Sequence, residues 1–157
     1  MKLDRKLFRI GIPLIDKQHE RYLDLVVELF EIRERDVIDQ AAVDDCIEKV
    51  LAYALEHFDA EEALMRSVLY PEYEAHRVKH DEFRNGTDRL SSMGSDGMTP
   101  ADQITQLTKW LVDWFRAQTL VHDKKLAAFL KQRVCARIAK KAISYPFHSF
   151  HSIPSLE

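Results

Sequence analysis

Two pairs of metal-type side chains, each spaced four residues apart, limit what this chain can fold into: His57 with Glu61, and His76 with His80. Residues four apart lie on one face of an α-helix, one turn above the other. Each pair therefore acts together only on a helix, and the two pairs act together only where two helices face each other. An earlier helical segment adds His19 and a later one adds Asp123. A lone His-x-x-x-His is ordinarily a surface pair, and a lone His57 would ordinarily be a satisfied core histidine. Four histidines and two carboxylates spread over four helical segments in a workable order are not explained that way. Imidazole suits iron, zinc or copper, while carboxylates can bridge two cations and offset their charge. Carboxylate-bridged di-iron sites are built in this manner inside helix bundles.

The rest of the chain supplies the helices. After an N-terminal arm to about Pro13, residues Tyr22, Leu23, Val26, Val27, Leu29 and Phe30 recur at helical spacing between Asp16 and Arg35, with Asp16 as the expected N-cap. Asp39 is placed to cap a second helix running to about Val68, with Val43, Ile47, Val50, Leu51, Ala54 and Phe58 on one face. Tyr70-Pro71 breaks the pattern, and Pro71 suits the first turn of a third helix. That helix carries Tyr73, His76, His80 and Phe83 and is expected to fade near Ser91, before the loop SSMGSDGMTP. Thr99 caps a fourth, with Pro100 at its first position, continuing through Trp110, Trp114, Leu126 and Phe129 to about Arg133. Four long helices with short joints make an all-α, up-down-up-down four-helix bundle over residues 1–133. Residues 134–157 form a C-terminal extension. Its basic part either prolongs the fourth helix or makes a short one of its own, and the rest is read as a tail.

Composition narrows the function classes. The 157 residues fit one domain, and only four glycines favour helices over a turn-rich sheet protein. A net charge of −3 gives no global basic field for nucleic acid. Cys46 and Cys135 lie far apart without a CxxC, so a reducing compartment is the natural reading. No segment has the roughly 20 apolar residues of a membrane span, and the N-terminus carries no signal-peptide core. The expectation is a soluble, cytoplasmic protein. Phosphate loops, nucleotide fingerprints and nucleophile triads are absent from the sequence.

The motifs also carry a resemblance. GIPLIDKQH resembles the first-helix signature of the bacterial hemerythrins; HFDAEEALM, followed by Tyr70-Pro71, is similar to their second; HRVKHDEF looks like the third, and WFRAQTLVHDKKL the fourth. The resemblance spans roughly Asp4 to Lys131. It implies two non-haem iron ions with a bridging oxo or hydroxo group, held by five histidines, one glutamate and one aspartate, with O2 bound reversibly at an open position. Carried over, His19 and His57 would hold one iron, His76 and His80 the other, and Glu61 and Asp123 would bridge them. The family's fifth histidine lies five residues before the aspartate, and here that residue is Gln118.

Gln118 offers only a weak neutral oxygen donor, or a hydrogen bond to metal-bound water. His122, one turn further on, is a competing substitute if the helix shifts or kinks locally. Helix geometry favours an altered or open position at Gln118 over that substitute. Tyr22 and Thr119 stand where the family has apolar residues lining the O2 pocket. Their hydroxyls are able to donate to bound oxygen, unless Tyr22 merely packs with its hydroxyl reaching solvent. Trp110 and Trp114 are read as core packing, with Trp114 bordering the pocket. Two functions follow from different classes. One is an O2-binding module for carriage, sensing or delivery, served by an unknown redox partner. The other is a di-iron redox enzyme of peroxidase, oxidase or nitric-oxide-handling type built on the altered positions.

Overall fold

The structure, a computed structural model, describes residues 4–95 and 97–143. Five α-helices are described: α1 (Pro13–Arg33), α2 (Gln40–Ser67), α3 (Tyr73–Ser95), α4 (Pro100–Ala117) and α5 (Lys124–Ile143). A π-helical turn, Gln118–Asp123, joins α4 to α5 without a break in the helical backbone. Helix α1 packs on α2 and α4, and α3 packs on the same two, so the helices close into the expected four-cornered bundle.

The caps follow from local chemistry. The Asp39 carboxylate accepts from the Ala42 N–H at 2.8 Å, and the Thr99 hydroxyl from the Asp102 N–H at 3.2 Å with Pro100 next in line. The first helix departs from expectation. It starts at Pro13, so Asp16 lies inside its first turn rather than at the cap. The Asp16 carboxylate instead accepts from the N–H groups of Ile10 at 2.7 Å and Gly11 at 3.1 Å, fastening the arm to the helix. Gly11 has φ +84°, a left-handed conformation that glycine adopts without strain. Val27, counted among the apolar stripe, is exposed. Pro71 sits in the turn ahead of α3, and α3 runs to Ser95, past the expected fade at Ser91. Ser92 stays compatible with the helix by donating its hydroxyl back to the Arg89 carbonyl. Helix α5 runs through the basic part of the extension to Ile143, so that part prolongs the fourth rod, while the expected tail at 145–157 lies outside the described residues.

The core is divided into two apolar floors. The larger holds Leu23, Val26, Leu29, Val43, Val50, Phe58, Phe83, Ile104, Leu107, Leu111 and Phe115 with their neighbours. The smaller holds Met65, Tyr70 and Leu126, backed by Phe129 and Leu130. The order repeats along α2, α3 and the continuous α4–α5 rod. On α2, for instance, Phe58 belongs to the large floor and Met65 to the small one, with His57 and Glu61 at the boundary between them. The polar residues thus form a layer between two hydrophobic seals. The short arm closes its side: Arg5 pairs with Glu20 and Asp24, and Phe8 stacks on Phe115 with ring centroids 5.0 Å apart.

Helices α3 and α4 approach closely at Gly86, where a Cβ atom would stand 2.3 Å from the Trp110 ring. The indole lies over the glycine and against Phe83. Gly86→Ala should therefore destabilise the protein, by up to about 2 kcal/mol. Overpacking of about 1–3 kcal/mol outweighs the helix-propensity gain of about 1 kcal/mol. Chemical denaturation measures the change, and a net stabilisation would show that the two helices do not meet there.

Candidate metal centre

The layer between the floors is built from six side chains. Glu61 and Asp123 are both 0% exposed, and His19, His57, His76 and His80 are all buried around them. His19 Nε2 lies 3.3 Å from Asp123 Oδ2, and His76 Nε2 lies 3.2 Å from both Asp123 Oδ1 and Glu61 Oε2. His80 Nε2 is 3.4 Å and His57 Nε2 3.8 Å from the same Glu61 oxygen. The donor atoms fall into two sets, each within 4.8 Å: His19, His57, Glu61 and Asp123; and Glu61, His76 and His80. Glu61 belongs to both, and Asp123 reaches His76 across from the first.

Every one of these imidazoles turns Nε2 inward, and three are held that way from behind. His19 Nδ1 is 2.8 Å from the Phe8 carbonyl, His57 Nδ1 is 3.2 Å from Gln18 Oε1, and His80 Nδ1 is 3.1 Å from Glu62 Oε1. Such outer partners fix ring orientation and raise ligand basicity. Aromatic rings complete the wall: Phe58 stacks on His80 at 4.0 Å, and Phe115 meets His19 edge-on at 5.3 Å. The sequence reading missed Phe8, Gln18, Glu62 and Phe115. Gln18 and Glu62 are chain neighbours of candidate ligands, and that adjacency was the available signal.

The electrostatics are those of a layer short of positive charge. Burial raises the Asp123 pKa, but His19 and His76 overcome that and hold it well below the usual carboxylate range. Glu61 is likewise lowered, against burial and the Asp123 charge, by the surrounding imidazoles. Burial presses His76 down, yet Asp123 and Glu61 push it up to about 9. His57 goes the other way, to about 4, because burial dominates there. Among the described residues, Glu61 and Asp123 face histidines and no lysine or arginine. Beyond these ion-pair contacts, no well-formed hydrogen bond reaches His19 Nε2, either Glu61 oxygen or Asp123 Oδ2. A buried acceptor left unmet costs roughly 1–3 kcal/mol, and more when charged. Orphaned donors of this kind, imidazole nitrogen plus carboxylate oxygen, fit a pair of divalent cations.

The π turn explains how Gln118 and Asp123 both enter the layer. Five residues of α-helix, at 3.6 per turn, would set them about 140° apart. In the π turn the Lys124 N–H bonds back to the Thr119 carbonyl, five residues earlier, and the two side chains come within reach. The Gln118 amide nitrogen donates to Asp123 Oδ1 at 2.9 Å. The expected uninterrupted α-helix through this segment is thus corrected. The local distortion, expected as the route by which His122 would enter, brings in Gln118 and Asp123 instead. His122 is half-buried, its ring 5.8 Å from that of His76, outside both donor sets.

The remaining pocket residues divide. Thr119 is fully buried and its hydroxyl has no hydrogen-bond partner. Trp114 packs on Phe58 and Phe83, one ring removed from His80. Tyr22 is fully buried, so its hydroxyl does not reach solvent; nor is it free, because it donates to the Leu111 carbonyl at 2.8 Å.

Comparison with known proteins gives a consistent result. Residues 10–130 match the hemerythrin HHE cation binding domain. A bacteriohemerythrin of Stenotrophomonas maltophilia (strain R551-3) is 30% identical over 124 residues, covering 78% of this chain and 80% of that protein. One of Pseudomonas aeruginosa (strain LESB58) is 29% identical over 107 residues, 68% and 69% of the two chains. One of Aquifex aeolicus (strain VF5) is 23% identical over 122 residues, 78% and 92%.

Tyr22→Phe should cost about 1 kcal/mol of stability, the net worth of one buried hydrogen bond, and leave metal content and optical spectrum unchanged. A variant of wild-type stability with an altered spectrum would show that the phenol faces the metal layer.

Proposed function

We propose that this chain, which belongs to the hemerythrin HHE cation-binding family, binds O2 at a pair of non-haem iron ions held in the layer between the two apolar floors. The observation that carries this reading is the crowding of buried imidazole nitrogens and carboxylate oxygens to within 3.2–3.8 Å of one another, with His19 Nε2, both oxygens of Glu61 and Oδ2 of Asp123 lacking a well-formed hydrogen bond. His19 and His57 would hold one iron, and His76 and His80 the other. Glu61 and Asp123, each within reach of histidines from both sides, would bridge them. Reduced iron, when bound, supplies the electrons with which O2 associates reversibly.

The protein's own part is to shape and dry the layer. Phe8, Phe58 and Phe115 wall it from the large floor, and Met65 and Leu126 seal it from the small one. Gln18, Glu62 and the Phe8 carbonyl keep the imidazoles aimed inward. Two carboxylates offset much of the charge of two cations, which lowers the cost of burying them. The enzymatic alternative rests on Gln118, Tyr22 and Thr119. The Thr119 hydroxyl is unpartnered, but that of Tyr22 is committed to the Leu111 carbonyl, and the family favours the binding reading.

Iron analysis and O2 cycling test this together. The wild-type protein at saturating iron should hold about two irons per chain, as carboxylate-bridged bundle sites do. The reduced form should gain visible absorption under O2 and lose it under argon over repeated cycles. His57→Ala and Glu61→Ala should each lose iron and stability, because ligand loss strands buried polar groups. A protein that holds chiefly zinc or a single metal, or iron content unchanged in both variants, would contradict the assignment.

A further inference from the structure

The two donor sets are not in the same condition. In the first, His19 Nε2 and Asp123 Oδ2 are without hydrogen bonds. In the second, both histidines are already engaged: the Gln118 amide nitrogen stands 2.6 Å from His76 Nε2 and 3.4 Å from His80 Nε2, while its bond to the first set reaches only Asp123 Oδ1, at 2.9 Å, and leaves Oδ2 open. Gln118 is buried, and its own amide oxygen has no partner. The amide therefore occupies the approach that a cation on His76 and His80 would need, while offering its unsatisfied oxygen elsewhere. Rotating the amide about its last bond exchanges nitrogen and oxygen at one point in space. That motion turns a hydrogen-bond donor into a neutral oxygen ligand.

We propose that Gln118 makes the two metal positions unequal, so that the first ion enters at His19, His57, Glu61 and Asp123. The second enters at Glu61, His76 and His80 only when the Gln118 amide releases those histidines and turns its oxygen inward. The inference rests on the metal-centre reading above and adds an order of loading to it. A cation in the first set takes the place of the proton between His19 and Asp123 and leaves the amide's contacts intact. The second must first break the amide's contacts with His76 and Asp123. The net worth of the one hydrogen bond to the Asp123 carboxylate corresponds to about tenfold or more in affinity. The ligand chemistry points the same way, because an amide oxygen is a weaker partner than imidazole for transition-metal cations.

Titration of the metal-free full chain with Zn2+, which has no redox chemistry to confuse the count, tests the order. Calorimetry counts the steps, and nitrogen-15 NMR of the histidine rings and glutamine amides identifies them. The expected result is two steps separated by about tenfold or more. The first should move the His19 and His57 signals; the second should move His76, His80 and the Gln118 amide. Gln118→His supplies an imidazole in place of the amide and should bring the two steps together. Simultaneous movement of all four histidines in the wild type, His76 and His80 moving first, or a separation unchanged in a folded Gln118→His protein would each overturn the proposal. The wild-type titration decides the order even if the variant fails to fold. No zinc uptake at all would instead overturn the metal-centre reading on which the order depends.

Discussion

Everything in this bundle is arranged around two carboxylates that have been taken out of water. Glu61 and Asp123 face one another across a layer closed on both sides by apolar floors, with imidazoles and the Gln118 amide around them. A buried ionised carboxylate is costly unless it is paired or coordinates a metal. In the metal-free chain the histidines answer that need with protons, which is why His76 is driven up to about 9. Cations would replace those protons, so metal uptake, proton release and folding are one linked equilibrium.

The π turn is the second element on which the layer depends. Without it Asp123 and Gln118 would point in directions about 140° apart on a regular helix, and one of them would leave the core. Its position places both residues in the layer while α4 keeps Phe115 on the large floor and α5 keeps Leu126 on the small one. Rare helical geometry at a site of converging polar groups is the usual setting for such turns.

Much of this was legible in the sequence, because the signals involved are local. Asp39 and Thr99 mark helix starts through side-chain chemistry that acts over three residues, and the four-residue spacing of His57–Glu61 and His76–His80 encodes a shared face directly. Most of what escaped depended on distant chain. The Asp16 cap failed because Pro13 already starts the helix, leaving the carboxylate to bind the arm. The Tyr22 hydroxyl finds the Leu111 carbonyl, 89 residues away, which no periodicity reveals. The outer partners of His19 and His80 come from the arm and from a neighbouring helix. The five-residue spacing of Gln118 and Asp123 was visible, but its structural meaning required the π turn.

The central claim is that this fold is completed by cations in its carboxylate layer, and the most direct measurement of it is the thermal unfolding midpoint of the full chain with and without bound metal. A ligand present at about a thousand times its dissociation constant stabilises the folded state by about 4 kcal/mol. For a chain of this size that corresponds to a rise of roughly 10 °C. The account predicts a rise of that order on saturation with ferrous iron under anaerobic conditions, reversed by a chelator. A midpoint that does not move with metal would contradict it, for the buried carboxylates would then be satisfied by the protein alone.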